Sequence, residues 1–234
     1  MSRGSVGKGS HPLSGSFLVN SLGVGFIELE LSYLKTITYR KPGTEILHFL
    51  REFAINPEST GSVAPSSNAL AKEIVSGVDL ANASAVLEYG PGTGVFTPYV
   101  LRETPYSCKF VAIELNPSFA SHFREIYPGV KLHEGNVAEV RQICDDNRIS
   151  MVDCIVSGLP WASFSHEKQK TYLDATVQVL KPGGQFTTFA CVHGLLLPSG
   201  RRFARMLRRY FSEVTTSRVI WSNIPPAIVY KCRL

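Results

Sequence analysis

Residues Val86 to Phe96, VLEYGPGTGVF, place a glutamate and three glycines directly behind an apolar run. Glycine loses the most entropy on ordering, so such clustering marks a backbone that turns sharply and lets something approach closely. A strand, a glycine-rich turn and a helix bring backbone N–H groups and a helix N-terminus beside a ligand at the carboxyl edge of a sheet. The dinucleotide form of this turn needs G-x-G-x-x-G. Here Gly90, Gly92 and Gly94 give G-x-G-x-G, and Val95 stands where the third dinucleotide glycine belongs. Tight NAD binding is therefore not expected. Glu88 sits two residues before the first glycine. A pyrophosphate has no use for that carboxylate, whereas a ligand carrying an ammonium group does. Glu114 closes the next strand-like run, in VAIELN, where a carboxylate can accept both hydrogens of a ribose diol. HEGNVAEV, with Asn136 and Val137, follows the third run, and Ser157-Gly158-Leu159-Pro160-Trp161 ends the fourth.

Glu88-x-Gly90-x-Gly92-x-Gly94, with Glu114 and Asn136-Val137 in register behind it, resembles the motifs of class I methyltransferases, whose cofactor is S-adenosylmethionine. The resemblance implies that Glu88, Tyr89, Gly90, Pro91, Gly92, Thr93 and Gly94 face the methionine end of the cofactor. It sets Glu114 and Leu115 at the ribose, Asn136 and Val137 at the adenine, and Ser157 and Gly158 among the other cofactor contacts. Amino-methylating enzymes of this fold often carry N/D-P-P-Y or N-L-P-Y after the fourth strand, where an amide or carboxylate accepts hydrogens from a planar amine and the ring stacks on the base. Gly158 stands at that amide position and offers only its carbonyl, which counts against adenine methylation and against nucleic acid as the partner. Leu159, Pro160, Trp161 and Phe164 are the expected substrate contacts, the two aromatics as a wall suited to a cationic amine or else as plain core. The acceptor ammonium must lose a proton before it can attack. His193, just past GQFTTFAC, is the histidine best placed to take it, unless it is only a loop residue.

FLREFAINPESTGSVAPSS, CIVSGLPWASF, VLKPGGQFTTFA and VIWSNIPPAIVYKCR, with the glycine loop, resemble the soluble bacterial phospholipid N-methyltransferases over roughly Glu45 to Leu234. That resemblance implies methylation of phosphatidylethanolamine toward phosphatidylcholine by an enzyme that visits an anionic membrane surface. Arg201, Arg202, Arg205, Arg208 and Arg209 stand on one side of a helical pattern, opposite Phe203, Met206, Leu207, Tyr210 and Phe211. Such a helix either lies on anionic lipid or packs on a sheet with a solvated basic face. An RNA or small-molecule methyltransferase, or a non-catalytic cofactor-binding protein, stays open on the same scaffold.

The elements that must position these residues alternate. Strand-like runs cover 85–89, 109–115, 130–133, 151–157 and 184–190, with helical patterns near 97–103, 117–126, 137–146 and 166–180. Repeated strand–helix units give a Rossmann-like α/β fold, a mostly parallel seven-stranded sheet with helices on both faces. A helix near 199–210 and two further strands, EVTTSRVIW and PAIVYKCR, break the alternation and imply an antiparallel C-terminal strand. Residues 1–41 form an extension whose Gly- and Ser-rich start, 1–16, is expected to be disordered; 42–80 supply helices over the cofactor site; 81–234 form the methyltransferase domain. In the second of these, Thr44–Ile55 is an amphipathic helix, and Ser66 or Ser67 caps another from Asn68 to about Ser76. The net charge of +5 and pI near 9.0 favour an anionic partner. Five scattered cysteines argue against a disulfide framework and a structural metal. With no apolar run long enough to span a bilayer and no signal peptide, a cytoplasmic protein is expected, peripheral at the inner face of the membrane at most.

Overall fold

The computed structural model describes residues 66–234. The N-terminal extension and the helix expected over Thr44–Ile55 lie outside them. The strands are β1 (Ala85–Tyr89), β2 (Lys109–Glu114), β3 (Lys131–Glu134), β4 (Val152–Ser157), β5 (Leu180–Cys191), β6 (Glu213–Thr216) and β7 (Ala227–Arg233). They form one sheet in the order β3-β2-β1-β4-β5-β7-β6. β1 to β5 pair in parallel and β7 runs antiparallel to both its neighbours. Strand order reverses between β1 and β4, and in open α/β sheets ligands bind at the carboxyl edge beside such a reversal.

The helices are α1 (Asn68–Val75), α2 (Thr97–Glu103), α3 (Pro117–Ile126), α4 (Val140–Asp146), α5 (His166–Val179), α6 (Val192–Leu196) and α7 (Pro198–Tyr210), with short 3-10 turns at Val137–Glu139 and Trp161–Ser163. Ser67 caps α1 by accepting from Leu70 N, and Asn116 caps α3 by accepting from Ser118 N and Phe119 N. β1 is buried on both faces, as a central parallel strand must be. Ala85, Leu87 and Tyr89 point into one core cluster, with residues of α4, α5 and α7; Val86 points into the other, under α1 and α2. The period of two therefore turns Glu88 toward α2.

The apolar stripe of α7 packs inward, with Phe203, Met206, Leu207 and Phe211 buried on the sheet. Its charged side, Arg201, Arg205, Arg208 and Arg209, stays exposed. All five cysteines are free thiols. No helix among the described residues is long and apolar enough to cross a membrane.

Candidate active site

Each glycine of the loop answers to a different neighbour. Gly90 donates from its N–H to Ile113 O at 2.8 Å, and a Cβ on it would come within 2.8 Å of the Leu159 side chain. A Cβ on Gly94 would lie 2.5 Å from the Tyr127 ring, whose hydroxyl donates to Gly94 O at 2.9 Å. Gly92 has φ +55°, and the space where its Cβ would stand is open. Packing therefore accounts for the outer two glycines, and the middle one leaves room for a ligand against the backbone. Pro91 and Thr93, on either side of it, are buried.

Two buried carboxylates flank this loop. Glu88 Oε2 accepts from the Thr97 hydroxyl at 2.9 Å, while its Oε1 has no hydrogen-bond partner among the described residues. Burial lifts the Glu88 carboxyl to about 8, against the pull of Thr97 and with a further push from Glu114. Glu114 accepts from Gly92 N at 3.0 Å and from Asn116 N at 2.9 Å. Burial raises its pKa too, and those N–H groups oppose the rise. Leu115 beside it is about half exposed, at 52%. Farther along the edge, Gly135 N donates to Glu114 O at 2.9 Å, and Asn136 Oδ1 accepts from Ala138 N, capping the 3-10 turn. The side chains of Val137 and Tyr89 belong to the core, so Tyr89 meets the loops through its carbonyl, which accepts from Gly158 N at 2.7 Å.

The segment after β4 lies against the glycine loop. A Cβ on Gly158 would meet Gly90 O at 2.5 Å, a backbone atom that cannot swing aside. This contact is invisible in the sequence, and at this backbone geometry any side chain at position 158 would press on Gly90. Of the two readings left open for Trp161, wall or core, its ring takes the core position. Its ring is 1% exposed, stacks on Phe203 at 4.6 Å, and meets Phe164, Tyr172 and Phe186 edge-on. Its Nε1 donates to Ser157 Oγ at 3.0 Å. Trp161 and Phe164 thus support the segment from inside the core, while Leu159 and Pro160 stay half-buried at its surface.

A clamp that the sequence analysis missed holds this segment to α7. The buried Gln169 donates to Trp161 O at 2.7 Å and to Ser199 O at 3.2 Å, and accepts from Arg202 Nε at 3.1 Å. Ser199 Oγ donates to Ala162 O at 2.6 Å. A glutamine one turn into a polar helix carries no signal of this kind in one sequence. His193 sits on α6, exposed, next to Gly194, which packs on Ala162. The topology thus sets it on the same edge as the glycine loop. Among the described residues no group of three His, Cys, Asp or Glu side chains is placed to hold a metal ion.

Residues 86–184 match the model of the methyltransferase domain family. The chain is 33% identical over 190 residues to the ornithine lipid N-methyltransferase of Singulisphaera acidiphila, covering 79% of this chain and 94% of that protein. The chain belongs to the class I S-adenosylmethionine-dependent methyltransferases. A second relative, ribosomal RNA small subunit methyltransferase A of a Synechococcus species, is 34% identical over 94 residues, 38% of this chain and 32% of that protein. The fold is shared with the O-methyltransferase TomG of Streptomyces achromogenes in complex with SAM, at a TM-score of 0.58 and 19% identity over 92% of this chain and 96% of that one.

The methyltransferase cofactor is S-adenosylmethionine, and the residues present fit it. Gly92 leaves backbone and open space for close approach. Glu88 keeps a buried oxygen without a partner among the described residues, which suits a cationic group. Glu114 spends its oxygens on two backbone N–H groups and retains lone pairs for hydroxyl donors.

Proposed function

We propose that this methyltransferase acts on the amine of a membrane lipid head group at an anionic surface, with phosphatidylethanolamine as one candidate acceptor and ornithine lipid as the other. The observation that carries the reading is the likeness, over nearly the whole of that protein, to an ornithine lipid N-methyltransferase. The backbone contact at Gly158 supports it, because it leaves no room for the amide that clamps a planar base amine.

On this reading the loop from Glu88 to Gly94 holds the methionine end of the cofactor and Glu114 the ribose, with Leu115 beside it. Asn136 and Val137 bound the adenine, and Ser157 and Gly158 close the site. Bound S-adenosylmethionine supplies an electrophilic methyl group on a cationic sulfonium. The chain's own residues orient and desolvate the acceptor. Leu159 and Pro160 present an apolar surface to it, and an amine taken out of water there favours its neutral, nucleophilic form. His193, exposed at the same edge, accepts the released proton. Much of the acceleration then comes from positioning two reactants in line.

The test is incubation with labelled S-adenosylmethionine and, separately, vesicles containing phosphatidylethanolamine, vesicles containing ornithine lipid, structured RNA and soluble amines. Label is expected in one or both lipids and not in RNA. Label in RNA or soluble amines alone overturns the lipid assignment.

A further inference from the structure

Among the described residues, most of the large apolar side chains left in water stand at one edge of the sheet. Leu115, Leu196, Leu197, Trp221 and Ile224 all stand at the carboxyl edge of the sheet, whereas Tyr106 and Met151 lie at the opposite edge. Trp221 and Ile224 are each 75% exposed and Leu196 is 69% exposed. Leaving such side chains in water forgoes the gain that burial brings, and clustered exposed apolar surface marks a place of interaction.

Their presentation is built. Asn223, between Trp221 and Ile224, is buried; its Oδ1 accepts from Ser67 N at 2.8 Å and its Nδ2 donates to Pro225 O at 2.7 Å. The turn is thereby tied to the start of α1, and the side chains flanking Asn223 are held outward. Val192 N donates to Pro226 O at 2.8 Å, joining this turn to the corner that carries Leu196 and Leu197. From that corner α7 begins, with Arg201 and Arg205 exposed and in no ion pair among the described residues. Apolar tips beside unpaired cations complement an anionic lipid interface, where tryptophan and aliphatic chains enter the head-group boundary and arginines meet the phosphates.

We propose that this edge is a membrane-insertion face, on which Trp221, Ile224 and Leu196 enter an anionic bilayer and bring the mouth of the methyltransferase site onto the lipid surface. The inference rests on the lipid reading above, and its test separates the two. The chain has two tryptophans, and Trp161 is buried, so a change in emission on binding reports Trp221. The full chain is mixed with vesicles of phosphatidylcholine and phosphatidylglycerol, which contain no acceptor amine. A blue shift is expected, with quenching by lipids brominated in the acyl chain, and neither should occur in Trp221→Phe. Ile224→Ser combined with Leu196→Ser should weaken vesicle partitioning by roughly tenfold while S-adenosylmethionine affinity, read by calorimetry, is unchanged. Unshifted emission in saturating vesicles, or partitioning indifferent to both serines, overturns the proposal. So does a blue shift that follows protein concentration without lipid and coincides with a dimer in sedimentation, because a second copy then occupies the edge. Insertion without methylation of any lipid amine supports the face and overturns the acceptor assignment instead. Methylation of detergent-dispersed lipid by a chain that does not insert does the reverse.

Discussion

Glu88 is a carboxyl group kept out of water beside a second one, and that has a measurable consequence. Its pKa is raised from 4.5 to about 8, so between those values the native state holds a proton that the unfolded chain has already released. Stability contributed by this group is full below the lower value and declines as pH rises toward the upper one. Glu88→Gln does not titrate. The melting temperature of the variant, measured without cofactor, should therefore gain on that of the wild type across that window; a difference flat in pH would show that Glu88 is ionised throughout. Ligand binding separates the neighbouring residues. Glu114→Ala should weaken S-adenosylmethionine binding by about 1–3 kcal/mol in calorimetry, since it removes charged acceptors and frees Gly92 N. Gly92→Val should abolish binding by filling open space at a positive φ. Undiminished affinity in both would remove these residues from the cofactor site. The loop and both carboxylates were legible as residue types at a spacing. What each glycine is for was not, because Leu159 and Tyr127, which press on Gly90 and Gly94, arrive from distant elements.

Elements were legible where a period runs long enough and blurred where contacts end them. The expected strand 85–89 and helices 97–103 and 117–126 coincide with β1, α2 and α3. The strand expected over 213–221 stops at Thr216, because Ser217 turns its hydroxyl in to accept from Val229 N at 2.9 Å. β5 starts four residues before the expected 184, since Leu180 pairs with Val152 across a register shift that a Lys-Pro-Gly-Gly sequence disguises as a turn. α6 has five residues and shows no period at all. Trp161 could be read either way from its type, and only the remote Phe203 and Phe186 decide that it is core. The clamp between α5, α7 and the segment after β4 yields a prediction of its own. Gln169→Leu keeps the volume but leaves the Trp161 and Ser199 carbonyls and the Arg202 guanidinium without this partner. It should cost about 1–3 kcal/mol in stability, read by denaturant unfolding. Because the segment proposed to meet the acceptor loosens while the glycine loop does not, turnover should fall more than cofactor affinity. Equal losses in both would mean that the clamp serves the fold alone.

At the scale of the whole molecule, a net charge of +5 is modest, and its placement matters more than its size. Four of the five arginines of α7 face solvent, and the fifth, Arg202, turns in to Gln169. The apolar stripe that would let this helix sink into lipid is already spent on the sheet, so the part it takes in the proposed surface binding is electrostatic. A basic residue near an anionic leaflet contributes about 1 kcal/mol, and the contribution decays over a Debye length of about 8 Å at physiological salt. Arg201→Gln, Arg205→Gln and Arg208→Gln together should thus weaken binding to anionic vesicles by about a hundredfold at low salt, and by progressively less as salt is added. Methylation of vesicle lipid should fall with it while S-adenosylmethionine affinity holds. Co-sedimentation across a salt series measures this, beside a structured RNA whose binding would also weaken with salt if phosphate alone were being read. The two surfaces differ in what survives at high salt. Lipid binding should retain a residual component carried by Trp221 and Ile224, and RNA binding should not. A wild type that ignores anionic vesicles at every salt concentration, yet modifies RNA or a soluble amine, would leave the methyltransferase standing and remove the membrane from its function.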